Sequence, residues 1–156
     1  MVETSSQKIR IDKDGIWYFE GKEIFRNEIV RFFYENLKQD QRGRFLIELD
    51  NEQCYVDIED TPFIIESIDK NKLEGDNQEI IFMNLKNGAI EKLNPETLWI
   101  GKKNILYCMI KKGSCKARFS RAAYYQIANL IEHDIKTDMY FIFLNGNTFY
   151  IKEAFN

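Results

Sequence analysis

The chain has 156 residues and a formal net charge of −3, with 44% hydrophobic and 30% charged residues. This composition is ordinary for a globular protein, and a chain of this length can bury a core without disulfide or metal staples. The acidic total and a pI near 5.3 argue against binding of bulk nucleic acid through overall positive charge. Three cysteines, an odd number, do not indicate a disulfide framework.

The N-terminus lacks the basic start and apolar run of a signal peptide, and no apolar run is long enough to cross a bilayer. We therefore expect a cytoplasmic protein without a membrane partner. Residues 1–8 are polar and predict a flexible arm. The stretch "GIWYF", followed by Glu20-Gly21 and "KEI", predicts a β-hairpin, because glycine supplies the positive φ of a two-residue turn.

A helix is predicted next, because apolar residues recur at helical spacing. The stripe consists of Ile29, Val30, Phe32, Phe33 and Leu37. Strands are predicted after it at 44–49, 53–58, 63–68, 79–85 and 89–93, where alternating or wholly apolar runs are separated by polar turns. A proline at 95 then ends the series.

The last third of the chain predicts strands at 104–112 and 115–119, a helix at 120–131, and strands at 139–144 and 148–152. Ser120 is the expected N-cap of that helix, with Phe119 and Tyr124 spaced as a hydrophobic staple. The six apolar residues at 139–144 predict a strand covered on both faces. His133 is expected near the end of the helix.

The order strand, turn, strand, helix, strand, turn, strand occurs at 16–58 and again at 105–151, which indicates a duplication. Both helices begin with an arginine followed by apolar residues, at Arg26 and at Arg121. If each copy is a small curved sheet closed on one side by its helix, the other copy can cover the remaining face. Interfaces of this kind commonly form the cleft that binds a small ligand.

Charge is segregated along the chain. No acid occurs between Glu96 and Glu132, a stretch that contains seven lysines and arginines interleaved with aromatic residues, whereas 48–66 contains acids and no base. A positive field with aromatic faces can bind a phosphate and stack a base. The alternative is that both stretches simply face water or each other.

Arg121 is predicted in the first turn of its helix, where the helix dipole disfavours a cation by a few tenths of a kcal/mol. Two partners for it remain open, a ligand anion and a carboxylate such as Glu59 or Asp60. The segment "EDTPF", which includes Pro62, is predicted to be an aspartate-initiated turn rather than a carboxylate pair for acid–base catalysis.

The motifs of well-marked enzyme classes are absent. The sequence has no phosphate-binding glycine loop, no Gly-x-Ser-x-Gly and no Cys-x-x-Cys. A single histidine excludes a zinc site that needs two. We therefore predict no catalytic residues, metal or cofactor.

Three stretches, "IDKDGIWYFEGKEIFRNEIVRFFYENL", "VDIEDTPF" and "SRAAYY", together resemble an uncharacterised bacterial family, a domain of unknown function. The resemblance covers nearly the whole chain, although Leu49-Asp50 and Asn94-Pro95 depart from the family pattern. It implies a duplicated α+β unit whose second half is pleckstrin-homology-like (PH-like), a nucleotide-like ligand and a role in signalling. The matching positions are Gly15, Trp17, Tyr18, Gly21, Arg26, Glu52, Glu59, Asp60, Pro62, Phe63, Asn84, Arg121, Tyr124 and Tyr125.

The sequence thus predicts an α+β fold of two similar halves, each a small curved antiparallel sheet, or half-barrel, with one packed helix. The predicted boundaries are an arm at 1–8, a first half at 9–75 and a PH-like second half at 76–156. The predicted function is a non-catalytic module that binds a small anionic, nucleotide-like ligand between the halves, in signal transduction. The alternative is a protein–protein interaction scaffold with no small ligand. The predicted ligand-binding residues are Arg26, Arg121, Trp17, Tyr124, Tyr125, Glu52 and Asn84, and the predicted structural motif is Glu59, Asp60 and Pro62.

Overall fold

The computed structural model describes residues 8–72, 75 and 77–154. The predicted arm lies outside these residues, apart from residue 8. The chain divides into two compact units, Met1–Pro62 and Phe63–Asn156. This boundary lies before the predicted one at 75/76, because the strand that begins at Phe63 pairs with two strands of the second unit.

The described part of the first unit contains one α-helix and a six-stranded sheet. The strands are β1 (Ile9–Ile11), β2 (Trp17–Phe19), β3 (Lys22–Glu23), β4 (Leu37–Gln39), β5 (Phe45–Leu49) and β6 (Glu52–Ile58), and the helix is α1 (Asn27–Glu35). The sheet order is β3-β2-β1-β6-β5-β4. Neighbouring strands are antiparallel except β1 and β6, which run parallel and join the N-terminal hairpin to the meander β4–β6.

The core of the first unit is built from alternating strand residues. Its buried members are Ile9, Ile11, Trp17, Ile47 and Val56. Two of them, Ile9 and Ile11, flank a half-buried arginine in β1, because successive side chains of a strand point to opposite faces. Burying each aliphatic side chain contributes about 1.5–3 kcal/mol.

Helix α1 packs on this core through one apolar stripe. Val30, Phe33 and Tyr34 follow the i, i+3, i+4 spacing of a helix face and contact the core. Leu37, which was predicted in the same stripe, lies in β4 and contacts the core from that strand. The predicted stripe included Phe32, which is 48% exposed. Two residues span about 200° around a helix, so this phenylalanine lies on the side opposite to Tyr34.

The described part of the second unit contains one α-helix, two sheets and two short 3-10 helices. The strands are β7 (Phe63–Lys72), β8 (Glu79–Leu85), β9 (Ile90–Lys92), β10 (Trp99–Ile100), β11 (Leu106–Ile110), β12 (Cys115–Phe119), β13 (Ile131–Asp134), β14 (Met139–Leu144), β15 (Asn147–Tyr150) and β16 (Lys152–Glu153); the α-helix is α2 (Arg121–Ala128), and the 3-10 helices are Pro95–Thr97 and Lys102–Asn104. One sheet has the order β16-β10-β11-β12-β7-β8-β9, and the other is the meander β13-β14-β15. Two pairs, β10 with β16 and β12 with β7, are parallel.

The two units repeat one arrangement, so the protein is an α+β fold with two similar halves, as predicted. In each unit, one strand pairs antiparallel with the first strand of the following hairpin and parallel with a strand at the end of the unit. In the first unit, β1 pairs antiparallel with β2 and parallel with β6. In the second unit, β10 pairs antiparallel with β11 and parallel with β16. A helix and a three-stranded meander follow each hairpin. The meanders share one register, with Leu46 opposite Tyr55 in the first unit and Phe141 opposite Tyr150 in the second.

The turn that opens each meander is held by the same contact. The Tyr55 hydroxyl donates a hydrogen bond to Asp40 Oδ2 over 3.1 Å, and the Tyr150 hydroxyl donates one to Asp134 Oδ2 over 3.1 Å. The other carboxylate oxygen of each aspartate accepts a main-chain N–H of its own turn. This repeated contact is independent support for the duplication.

Two local predictions for the second unit are wrong. Helix α2 ends at Ala128 rather than at 131, because Ile131–Asp134 pairs with β14. His133 therefore lies in a strand, where its Nε2 contacts Asp138 Oδ1 at 2.8 Å. Strand β14 is covered on one face only, with Ile142 buried and Phe143 53% exposed, because the meander β13–β15 packs through a single face.

Helices long and apolar enough to span a membrane are absent from the described residues.

Candidate functional site on helix α2

The exposed face of helix α2 presents one cation and two aromatic rings. Ser120 caps the helix, and its Oγ accepts the Ala123 N–H over 3.1 Å, as predicted. Arg121 follows as the first helical residue and is exposed, and Tyr124 and Tyr125 stand three and four residues later. Residues at these spacings are neighbours on a helix surface, so the three side chains share one face.

The two tyrosine rings are accessible. Tyr124 is 37% exposed and Tyr125 is 62% exposed, with ring centroids 6.1 Å apart and planes tilted by 55°. The opposite face of the helix is fixed, because Ala123 and Ile127 are fully buried and the Gln126 side chain accepts the Ile68 N–H over 2.7 Å. The rings therefore project from a helix that is anchored on its other side.

Arg121 carries its charge without a partner among the described residues, where the structure records neither a hydrogen bond nor an ion pair of its side chain. The first turn of α2 also contains no acidic residue. The helix N-terminus is a region of positive potential, so the guanidinium adds to a field of the same sign. This arrangement suits an anion and disfavours a cation.

Arg26 occupies a different position in the first unit. It is the N-cap residue of α1, without a side-chain cap hydrogen bond, whereas Arg121 is the first helical residue of α2. Its Nε contacts Glu28 Oε1 at 3.1 Å, and its side chain is 72% exposed. The alignment of the two arginines in the sequence is thus not an equivalence in the helices.

Trp17 lies in the core of the first unit, not on its surface. It is 1% exposed and contacts the rings of Phe33 and Tyr34 at centroid distances of 5.6 and 4.9 Å. Its Nε1 has no hydrogen-bond partner. The observed contacts of Trp17 are therefore those of a core residue that anchors helix α1.

The remaining predicted ligand-binding residues are distributed over strands. Glu52 is the exposed first residue of β6. Asn84 lies in β8, and its side-chain amide donates hydrogen bonds to Ser67 Oγ and to Asp69 Oδ2, both with a donor–acceptor distance of 3.0 Å. Arg121, Tyr124 and Tyr125 are the predicted ligand-binding residues that one helix face brings together.

The predicted structural motif is held by contacts within the first unit. Glu59 Oε1 accepts the Lys13 N–H over 3.2 Å and lies 3.9 Å from the Arg10 guanidinium. The Pro62 carbonyl accepts a hydrogen bond from the Tyr34 hydroxyl over 2.9 Å, and Pro62 is buried. Asp60, which lies between Glu59 and Pro62 in the sequence, is half-buried. These contacts suit a structural turn.

The basic, aromatic stretch singled out in the sequence is partly organised into a stack. The rings of Trp99 and Tyr107, neighbours on β10 and β11, lie 5.2 Å apart at an interplanar angle of 18°. Lys116 Nζ lies 4.9 Å from the Tyr107 ring centroid. Gly101 makes room for this ring, because a Cβ there would come within 2.9 Å of it. The rings of Trp99 and Tyr107 therefore cover each other, and Lys116 contacts the Tyr107 ring.

The three cysteines lie in the described part of the chain and are buried or half-buried. Burial, with a smaller contribution from the charge of Glu91, raises the pKa of Cys108 to about 12, so its thiol stays protonated. Cys115 is also buried, and Cys54 is half-buried. The described residues include no group of three His, Cys, Asp or Glu side chains that could hold a metal ion.

Comparison with known proteins supports the fold and the family resemblance. Residues 2–61 match the family model of the N-terminal domain of DUF1285, a domain of unknown function. A DUF1285 family protein from Silicibacter pomeroyi DSS-3 is 18% identical with a TM-score of 0.72, over 93% of this chain and 79% of that chain. Another from Shewanella baltica OS155 is 17% identical with a TM-score of 0.60, over 79% of this chain and 91% of that chain. Curated proteins gave no match. The resemblance to an uncharacterised family is thereby confirmed for residues 2–61, and the two structures share the fold over most of the chain.

Proposed function

We propose that this chain, whose residues 2–61 match the family model of the N-terminal domain of DUF1285, is a non-catalytic module that binds a small anionic, nucleotide-like ligand. The observation that carries the proposal is the exposed face of α2, where Arg121 stands beside Tyr124 and Tyr125. A guanidinium can bind a phosphate through two parallel hydrogen bonds, and an aromatic ring can stack on a base. A bound state that differs from the free state would serve in signal transduction.

Each residue of this face has a distinct role in the proposal. Arg121 contacts the anion, assisted by the positive end of the α2 dipole. Tyr125, the more exposed ring, stacks on the flat part of the ligand, and Tyr124 forms the side of the site. The Ser120 cap keeps the helix end in place for all three.

The test is a thermal-shift measurement with AMP, ATP, GMP, GTP and cyclic AMP, with inorganic phosphate as the reference anion. A ligand at 100 times its dissociation constant stabilises the folded state by about 2.7 kcal/mol, so a rise in melting temperature is expected with at least one nucleotide. Arg121→Ala should abolish the rise. Arg26→Ala is the matched control, because it removes an exposed arginine next to the other helix and should leave the rise intact.

Two results would contradict the proposal. One is a folded protein whose melting temperature no member of the panel changes. The other is a rise of equal size in the wild type and in Arg121→Ala, because the ligand would then bind elsewhere.

The second candidate function is a protein-interaction scaffold without a small ligand, using exposed basic residues. Lys111 and Lys112 favour it, because both are exposed at the turn after β11. Pull-down from native lysate distinguishes the two functions. A partner retained by Arg121→Ala but lost on changing Lys111 and Lys112 to glutamate favours the scaffold.

A further inference from the structure

The outer face of the meander β13–β15 is an exposed apolar surface. Met139 is 39% exposed, Phe143 is 53% exposed and Tyr150 is 40% exposed. Half-buried Phe141 lies between them, with its ring centroid 5.8 Å from that of Tyr150. We call these four residues the β14 patch.

The first unit provides an internal reference for this surface. Because the two meanders share one register, the cross-strand pair of Glu48 and Gln53 in the first unit corresponds to the pair of Phe143 and Thr148 in the second. The residue before β5, Arg44, likewise corresponds to Met139 as the partner of the turn aspartate. The same fold thus carries charged residues at two positions in one copy and apolar residues in the other.

In the first unit these charged residues cover the sheet. Lys38 Nζ lies 2.8 Å from Glu48 Oε1, and the Arg44 guanidinium lies 4.4 Å from the Tyr55 ring centroid. Leu46, the counterpart of Phe141, is 5% exposed. The second unit has no such cover in its described residues, so an apolar face that the fold can hide remains open to a partner.

Charge around the β14 patch indicates which partner. Glu132 takes the place of Lys38 beside the central strand, and Asp134 and Asp138 lie at the turn. Hydrogen bonds that outweigh partial desolvation keep the pKa of Asp134 below its usual range, so it is ionised at neutral pH. Lys136 is the cation of the same turn, and the rim is net acidic.

A hollow of about 340 Å³ lies beside Phe143, lined also by Asn129, Leu130 and Glu132. Its lining combines apolar side chains with Glu132 and with the ion pair of Lys70 and Glu79, so its net charge is negative, like that of the patch rim. A hollow of this size can take one large side chain of a partner. The hollow therefore adjoins the β14 patch at Phe143, which belongs to both.

We propose that the β14 patch is the docking surface for a protein segment that carries a row of apolar side chains flanked by lysine or arginine. The apolar row covers Met139, Phe141 and Phe143, and the basic residues meet Glu132 and Asp134. A second copy docked patch to patch would oppose acid to acid, which the charge pattern disfavours. An anionic lipid surface is disfavoured for the same reason. This surface is separate in its residues from the face of α2 proposed for the small ligand.

The test uses fluorescence anisotropy with a labelled leucine–lysine peptide of about 15 residues, long enough to form an amphipathic helix when bound. A leucine–glutamate peptide of the same pattern is the charge-reversed control. The variant Met139→Arg with Phe143→Glu places the first unit's residues on the second unit's face, where the fold tolerates them in the other copy. We expect it to weaken binding of the basic peptide by about tenfold or more, the equivalent of 1.4 kcal/mol or more.

A matched control lies in the first unit. Glu48→Gln removes one acid at the position equivalent to Phe143 and should not change binding, which separates docking from attraction to the net negative charge. Melting curves of each variant confirm that it is folded.

The proposal is overturned if the wild type does not bind the basic peptide, or if the double variant binds it as tightly as the wild type. It is also overturned if sedimentation shows a wild-type dimer that the double variant abolishes, because the patch would then belong to a second copy.

Discussion

In each meander, the hydroxyl of a tyrosine in the last strand donates a hydrogen bond to the carboxylate of an aspartate in the first turn. Partial desolvation favours protonated Asp40, but hydrogen bonds from the main chain of its turn and from the Tyr55 hydroxyl outweigh it and lower its pKa. The pKa of Asp134 is lowered in the same way, with Tyr150 as one of the donors. In return, the hydrogen bond to Asp134 raises the pKa of Tyr150. Each carboxylate is therefore held in its ionised form by the folded turn.

Changing Tyr150 to phenylalanine removes one of these donors, and we expect the pKa of Asp134 to rise towards its usual value of about 3.9. A carboxyl group with a lowered folded pKa stabilises the fold above its unfolded pKa, and this contribution is lost as pH falls through the folded pKa. The difference in melting temperature between wild type and Tyr150→Phe should therefore be largest near neutral pH and shrink below about pH 4. NMR titration of the Asp134 carboxyl carbon measures the shift directly.

Tyr140→Phe is the control for this prediction, because Tyr140 lies on the neighbouring strand and packs against His133 without a recorded hydroxyl hydrogen bond in the described residues. An unchanged Asp134 pKa in Tyr150→Phe would contradict this prediction and would show that the main-chain donors and the Thr137 side chain hold the carboxylate without the tyrosine.

The sequence predicted side-chain contacts in which the two residues are close together in the chain. Ser120 was predictable as a cap because its acceptor contact is to a main-chain N–H three residues away. The Tyr150 contact was missed because its aspartate lies 16 residues away across a strand pair, a separation that local spacing does not encode. The core position of Trp17 was also not predicted, because an aromatic residue in a short strand has the same local signature in a core and at a ligand site.

The two helices begin with different capping chemistry, although they occupy the same place in the repeat. Helix α2 is capped by the Ser120 side chain, whereas α1 follows Arg26, whose extended backbone (φ −78°, ψ 117°) suits an N-cap but whose side chain makes no cap hydrogen bond. The first main-chain N–H groups of α1 therefore lack the side-chain acceptor that α2 has.

This difference predicts opposite effects of substitutions at the two helix ends. Ser120→Ala should destabilise the protein by about 1 kcal/mol, because it removes a cap hydrogen bond. Arg26→Ser should stabilise it by up to about 1 kcal/mol, because serine can accept an N–H from the first turn, and the exposed ion pair that it loses contributes little. Urea denaturation of each variant measures both effects.

The outcome that contradicts this account is equal destabilisation by the two substitutions, which would mean that Arg26 contributes more through Glu28 than the exposed contact allows. Arg26→Ala separates the two causes, because it removes the ion pair without adding an acceptor.

Elements with their own sequence signal were predictable, and elements defined by pairing were not. The long apolar runs at 79–85 and 139–144 are strands, as predicted. The short strands β1, β4, β10 and β16 have two or three residues, too few to show a period. Three of them, β1, β10 and β16, gain hydrogen bonds from a strand that is distant in the sequence, as the parallel pairs of β1 with β6 and β10 with β16 show, whereas β4 pairs with the next strand, β5.

At the scale of the whole molecule, one arrangement is used twice with different surfaces. The shared parts are the hairpin, the helix, the meander and its aspartate–tyrosine contact. The differences lie on outer faces, where Glu48 corresponds to Phe143 and where α2 carries Arg121 with two tyrosines. The repeat preserves the packing that makes the fold, whereas the exposed positions, which carry little of the packing energy, differ between the two units.

The repeat was visible in the sequence from the order of its elements, but its outer faces were not. Strand β14 was predicted to be covered on both sides because all six of its residues are apolar, and a run of that kind does not distinguish a buried face from an open one. The cluster of Arg121, Tyr124 and Tyr125 was predictable, because three residues at helical spacing share a face wherever the helix packs.

The most direct test of the proposed function is an NMR titration of the ¹⁵N-labelled chain with the nucleotide that most raises its melting temperature. We expect the largest chemical-shift changes at the amides of Arg121, Tyr124 and Tyr125, with a dissociation constant that Arg121→Ala weakens by about tenfold or more, or 1.4 kcal/mol. Shift changes that cluster away from α2, or a titration that leaves the amides of this helix unchanged, would contradict it.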